Sequence, residues 1–172
     1  MKIESTGFTR ADVEQFLDEM LDHDRQLLAD RLEKASARLA GLGPRVQAGS
    51  GDGEWSAHEL LAHIAVLSKF YGVLVHKISS GQMTEVDLLA NVNLRDVLGE
   101  RMAQLEPAEL LTMALADQAR TLKLLRTVEP ASLRRKARLE TGEMLGADEI
   151  ARLPLVNHLE MHVDQLERSL GS

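Results

Sequence analysis

The chain has 172 residues and no cysteine, which excludes disulfides, thiolate ligands and a cysteine nucleophile and fits a reducing compartment. Hydrophobic residues make up 44% and aromatics only 3%, a balance that opposes disorder and favours Leu- and Ala-rich helices over a sheet sandwich. A net charge of −7 opposes duplex DNA, no apolar run approaches a membrane span, and Met1 to Gly7 carry no apolar leader, so the expectation is one cytoplasmic domain over residues 1–172 that binds neither nucleic acid nor membrane.

A first helix is expected from Thr9, which can cap it with Asp12 at the third helical position. Val13, Phe16, Leu17, Met20, Leu27, Leu28, Leu32, Ala35 and Leu39 recur at helical spacing until Gly41, Gly43 and Pro44 end the run. Residues 45–53 read as a loop. The second helix has the clearest start: Ser56 and Glu59 form a capping box, and Trp55 and Leu60 stand at the positions of a hydrophobic staple. It should run to about Ser79, stopped by Gly81. Residues 82–106 read as a long, partly helical connection. Thr84 and Asp87 resemble a helix start, Asn91 to Asn93 weaken the pattern, and Leu94 to Leu105 suggest a short helix.

Pro107 suits a first helical position, and a third long helix follows to Val128, before Glu129-Pro130. Residues 131–147, with Gly142 and Gly146, form a second connection. Its cluster Arg134, Arg135, Lys136 and Arg138 has no interleaved aromatics and reads as a solvated helix face. The last helix should run from about Asp148 to Leu170, kinked or restarted at Pro154. Four long helices with these connections predict an all-α antiparallel four-helix bundle.

At about 100° per residue, His63 falls inside the apolar stripe of the second helix, with Leu60, Ile64, Leu67 and Tyr71. His58 and His76 fall on the opposite side, facing solvent. His158 and His162 are one turn apart along the edge of the last helix's stripe, where residues lining an interhelical cavity belong. Taken alone, His63 reads as a core histidine satisfied by a hydrogen bond. Together with the His158–His162 pair it reads as a three-nitrogen site for a divalent ion with coordination positions left open. His23 borders its own stripe and reads as packing or support. The run His158-Leu159-Glu160-Met161-His162 is not a zincin motif, because Glu160 lies about 200° around the helix from each His and points away. Neutral imidazoles suit Zn, Ni, Co and Fe alike, and Gln165, Asp164 or Glu59 could accept the other ring N–H of a ligand.

Two stretches resemble the DinB-like (YfiT-like) superfamily of small metalloenzymes. One is Gly53-Glu54-Trp55-Ser56-Ala57-His58-Glu59-Leu60-Leu61-Ala62-His63, with a Trp before the helix and a ligand His eight residues later. The other is Asn157-His158-Leu159-Glu160-Met161-His162-Val163-Asp164-Gln165. The resemblance implies a helical bundle, a homodimer, and Zn or Ni held by His63, His158 and His162. It implies a small-molecule substrate and thiol-dependent S-transferase or isomerase chemistry, with a low-molecular-weight thiol as cosubstrate since the chain has no Cys. Independently, a water on the open position of such an ion could act as nucleophile, which makes a hydrolase the other enzymatic reading. The alternative is a non-catalytic metal- or ligand-binding stress-response dimer. The related mycothiol-dependent maleylpyruvate isomerases carry a Glu where this chain has His158, a departure from that specific activity. No residue is assigned as catalytic, and no organic cofactor site is expected.

Overall fold

The computed structural model describes residues 7–49 and 55–171, so part of the loop expected over residues 45–53 lies outside the described residues. Helix α1 spans Arg10–Leu42, with Thr9 and Asp12 forming the expected capping box. A 3-10 turn over Gly43–Arg45 follows. Helix α2 spans Ala57–Ser79 behind the Ser56–Glu59 capping box. Strand β1 is Glu85–Val86, and α3 is Leu88–Met102, capped by Asp87. Helix α4 is Pro107–Thr127 and the single turn α5 is Pro130–Leu133. Strands β2 (Lys136–Leu139) and β3 (Met144–Gly146) lead into α6 (Ala147–Ile150), a π-helical segment (Ala151–Asn157) and α7 (His158–Ser169).

Helix α2 is the centre of the protein. It packs against α3, α4, α6 and α7, while α1 closes the other side against α4 and α7. Its length and hydropathy would suffice for a membrane span, contrary to the expectation that no run approaches one, and burial inside the fold accounts for that apolar character. Leu61, Ile64, Leu74 and Ile78 of α2 pack in one core with Leu32 and Leu39 of α1, Leu110 and Leu125 of α4, and Leu159 and Val163 of α7. The stripe expected on α1 is buried only from Leu28 onward. Val13, Phe16, Leu17, Met20 and Leu27 stay exposed.

The fold is mostly helical, consistent with the all-α expectation, and adds a small sheet that was not anticipated: β1 pairs in parallel with β2, and β2 pairs antiparallel with β3. Strands of two to four residues are too short to show alternation in a sequence. The 82–106 connection is largely one helix, α3, running through Asn91–Asn93, so packing on α2 overrides local propensity there. The basic cluster is not a helix face. It lies at the α5–β2 junction, where Arg134 pairs with Asp18 of α1 at 2.8 Å and Arg135 donates to the Ser79 carbonyl at 2.5 Å.

Pro154 lies inside the widened π-helical turns, and the last helix continues through it. Proline removes one helical donor and crowds the preceding turn, and a wider turn relieves both. The outer face of the last helix is tied to α1: Arg31 bonds Glu160 and Asn157, and Arg38 bonds Asp164 and Glu167. Half-exposed pairs contribute about 0–1 kcal/mol each, so they set register more than stability.

The α2–α4 contact depends on Gly72. A Cβ there would lie 2.4 Å from Thr121 Oγ1. Gly72→Ala is expected to lower stability by about 1–3 kcal/mol through overpacking. Thr121→Ala in the same chain should recover part of that loss in urea titrations, whereas strict additivity would show that the contact does not limit helix approach.

Candidate metal centre

The opening of α2 and the start of α7 face each other across the core, and their histidines meet there. One ring nitrogen from each of His63, His158 and His162 lies within 4.8 Å of the other two. Ring centroids are 4.6 Å apart for His63–His162, 4.5 Å for His158–His162 and 5.7 Å for His63–His158. The structure thus brings together the three histidines singled out by helical phase. His23 and His76 are exposed and take no part in the cluster. His58, expected in solvent, is 8% exposed: its Nδ1 meets the Gly49 N–H at 3.2 Å and its Nε2 the Leu105 carbonyl at 2.8 Å. It pins the loop before α2 to the end of α3, a role set by tertiary contacts that a helical wheel does not see.

Each ring is oriented by its neighbours. His162 Nδ1 lies 2.6 Å from Gln165 Oε1, one turn on. The carboxamide oxygen only accepts, so Nδ1 carries the proton and Nε2 keeps its lone pair. That Nε2 is buried and has no hydrogen-bond partner among the described residues. The His158 ring is hydrogen-bonded to the Pro154 carbonyl, in the π-helical turn just before it. Of the three candidate acceptors, Gln165 serves His162. Asp164 is engaged with Arg38, and Glu59 accepts from the Ser56 N–H. Glu160 faces α1 and its Arg31, as its place about 200° around the helix from the histidines predicts, so it cannot serve as a zincin-type base.

Charge and burial keep the rings neutral. Burial, then the neighbouring His162 and His158, then Arg95 push His63 down to about 3. His158 is lowered by burial and then by Arg95, and His162 by burial and by His158 against the opposing Gln165 bond. Three neutral imidazoles converging on one point, one with an unpartnered buried lone pair, are the donor set that a borderline divalent ion takes. The residues present fit such an ion.

Two features of the surroundings were not assigned from sequence. Trp55, expected as a staple, lies edge-on to His63 at 4.5 Å and near-parallel to His162 at 6.0 Å. It walls two clefts. One, of 630 Å³, is lined with His162, Gln165, Arg168 and Ser169; the other, of 260 Å³, with His63, Arg95, Asp96 and Gly99. Arg95 of α3 is the second feature. Its guanidinium is held by Asp96 at 2.9 Å and reaches the Tyr71 hydroxyl at 3.4 Å. The Trp-before-helix pattern pointed toward Trp55, while nothing in the 82–106 sequence distinguishes Arg95.

No protein-family model matches the chain, and neither does any curated protein. Among solved structures it is similar to mycothiol-dependent maleylpyruvate isomerase, at 18% identity and a TM-score of 0.65. It is similar to a His-to-Ala mutant of that isomerase at 17% identity and the same TM-score. Each match covers 84% of this chain and 62% of the isomerase chain, so this chain matches less than two thirds of that protein. At this level of identity the likeness is one of fold.

Neutral burial has a pH signature. In the unfolded chain these rings take up protons near pH 6.5, whereas in the folded chain they resist. Stability of the metal-free protein is therefore complete above about pH 6.5 and falls as pH drops toward about 3, because the unfolded state binds more protons. The urea midpoint of chelator-treated protein should decline between about pH 7 and about pH 4.5, and His63→Gln should decline less steeply. Parallel curves for the two proteins would contradict the neutral assignment of His63.

Proposed function

We propose that this chain is a metal-dependent enzyme whose divalent ion, Zn or Ni, is held by His63, His158 and His162. The reaction we assign is transfer of a low-molecular-weight thiol to a small electrophile. The observation that carries the reading is the convergence of three neutral ring nitrogens within 4.8 Å, beside two open clefts. The shared fold with a mycothiol-dependent isomerase supports the thiol, and the absence of Cys requires that the thiol arrive as a cosubstrate. When bound, such an ion supplies Lewis acidity, which favours ionisation of a thiol or a water molecule near neutral pH.

The chain's own groups do the rest. Gln165 fixes the His162 tautomer and raises the basicity of its free nitrogen. Trp55 covers one side of the cluster and limits water there. Arg95, whose charge depresses both His63 and His158, is the cleft group that would attract an anionic or developing oxyanionic part of the electrophile. His158 replaces the Glu of the related isomerases, so the donor set here is neutral. An ion in it keeps its full positive charge, and this favours anionic ligands.

The same reading takes the packing of α1, α2, α4 and α7 as an antiparallel four-helix bundle and includes a homodimer. The exposed apolar stripe on the first half of α1 supports the dimer. Phe16→Glu with Met20→Glu is then expected to give monomers by light scattering with the fold retained; a monomeric parent protein would remove the dimer.

Trp55 is the only Trp, so its emission reports the centre directly. Titration with Ni²⁺ should quench it to saturation near one ion per chain, and elemental analysis should find bound Zn or Ni. His162→Ala and His158→Ala should each weaken uptake by at least about tenfold, and turnover of thiol and electrophile pairs should fall with it. Unchanged uptake in both variants would sink the metal assignment. Tight uptake without turnover across a broad thiol screen would favour a non-catalytic metal-binding protein.

A further inference from the structure

We propose that the electrophile carries an apolar tail, and that this tail lies in the groove between α2 and α3. The inference rests on the enzyme reading of the three-His centre and adds the class of its substrate.

The cleft beside His63 measures 260 Å³. Next to it runs a groove of 240 Å³, floored by Phe70, Leu74 and Met102. Val66 walls both, and α3 supplies a wall to each from adjacent faces: Arg95 and Gly99 to the first, Leu94 and Leu98 to the second. Neither space alone reaches the roughly 300–1,000 Å³ typical of small-ligand sites, whereas joined they do. A molecule that reacts beside His63 and extends past Val66 therefore fills a site of ordinary size.

The groove is also where α2 and α3 leave apolar side chains in water. Leu94 is 54% exposed, Val73 44% and Leu98 37%, and all three line it. Exposed leucines scattered singly need no explanation, but three large apolar residues around one concave space do. Lys69 and Lys77 stand on the rim. Their aliphatic stems extend the apolar wall and their ammonium groups favour a neutral or anionic tail over a cationic one. A second copy of the chain is the poorer occupant, because a two-fold contact through this face brings the same lysines toward each other. With Arg95 at the reacting end, the expected substrate class is a carboxylate or carbonyl compound bearing an alkyl or aryl chain.

The test reads binding and needs no turnover. Titration calorimetry of the metal-loaded protein with butyrate, hexanoate and octanoate should show Kd falling with length, by up to about fourfold per buried methylene. Leu94→Glu and Leu98→Glu, both at half-exposed helical positions, should flatten that slope, with circular dichroism confirming the fold. Leu94→Gln should flatten it partly, which separates loss of apolar surface from added charge. A flat series in the unsubstituted protein overturns the proposal, as does a slope that survives both Glu variants. Leu98→Glu converting a dimer to monomers with the slope intact makes the groove an interface and also overturns it. Normal Ni²⁺ quenching of Trp55 with a flat series rejects the tail and leaves the metal centre standing. A length-dependent series in a protein that takes up no metal retains the groove and rejects the enzyme reading.

Discussion

Three imidazoles with ring nitrogens within 4.8 Å of one another are disfavoured from taking up a second proton, so each stays neutral. Desolvation and mutual repulsion both act against charging, and they act hardest on His63. That condition sets the requirements on the surrounding structure. A neutral ring still has one N–H to satisfy and one lone pair to place. Gln165 and the Pro154 carbonyl take hydrogen bonds from two of the rings, and one nitrogen of each of the three rings lies within 4.8 Å of the others. The π-helical turn is part of this solution. It lets the last helix pass a proline without breaking and presents the Pro154 carbonyl to His158.

The connection between the second and third long helices also becomes part of the site. As α3 it lies along α2 and carries Arg95 to the edge of the cluster. The small sheet anchors both ends of this arrangement. Strand β1 immediately precedes α3, and the β2–β3 hairpin immediately precedes α6, so one short sheet fixes the start of the cleft wall and the start of the helix that bears His158 and His162.

Much of this was legible in the sequence, and the residues show why. His158 and His162 differ by one helical turn, and His63 sits in an apolar stripe, so a wheel and a four-residue spacing sufficed to select them. Capping boxes at Thr9 and Ser56 marked helix starts because their chemistry is local. What stayed hidden was non-local. His58 lies on the polar side of its wheel and is buried by a loop and the end of α3, neither of which a wheel includes. The stripe on the first half of α1 predicted burial that the fold does not supply, since periodicity reports an amphipathic face and not what covers it. Arg95 resembled any other charge in a weak helical pattern, and its importance comes from where α2 places α3.

Two of the three imidazoles ride on a single helix, α7, one turn apart, and the third belongs to the central helix α2. Detachment of α7 would remove both at a stroke and leave one nitrogen behind. The residence time of a coordinated ion would then follow how often that helix lifts from the core, rather than the strength of any one bond, and the ion in turn would act as a clasp against such local opening.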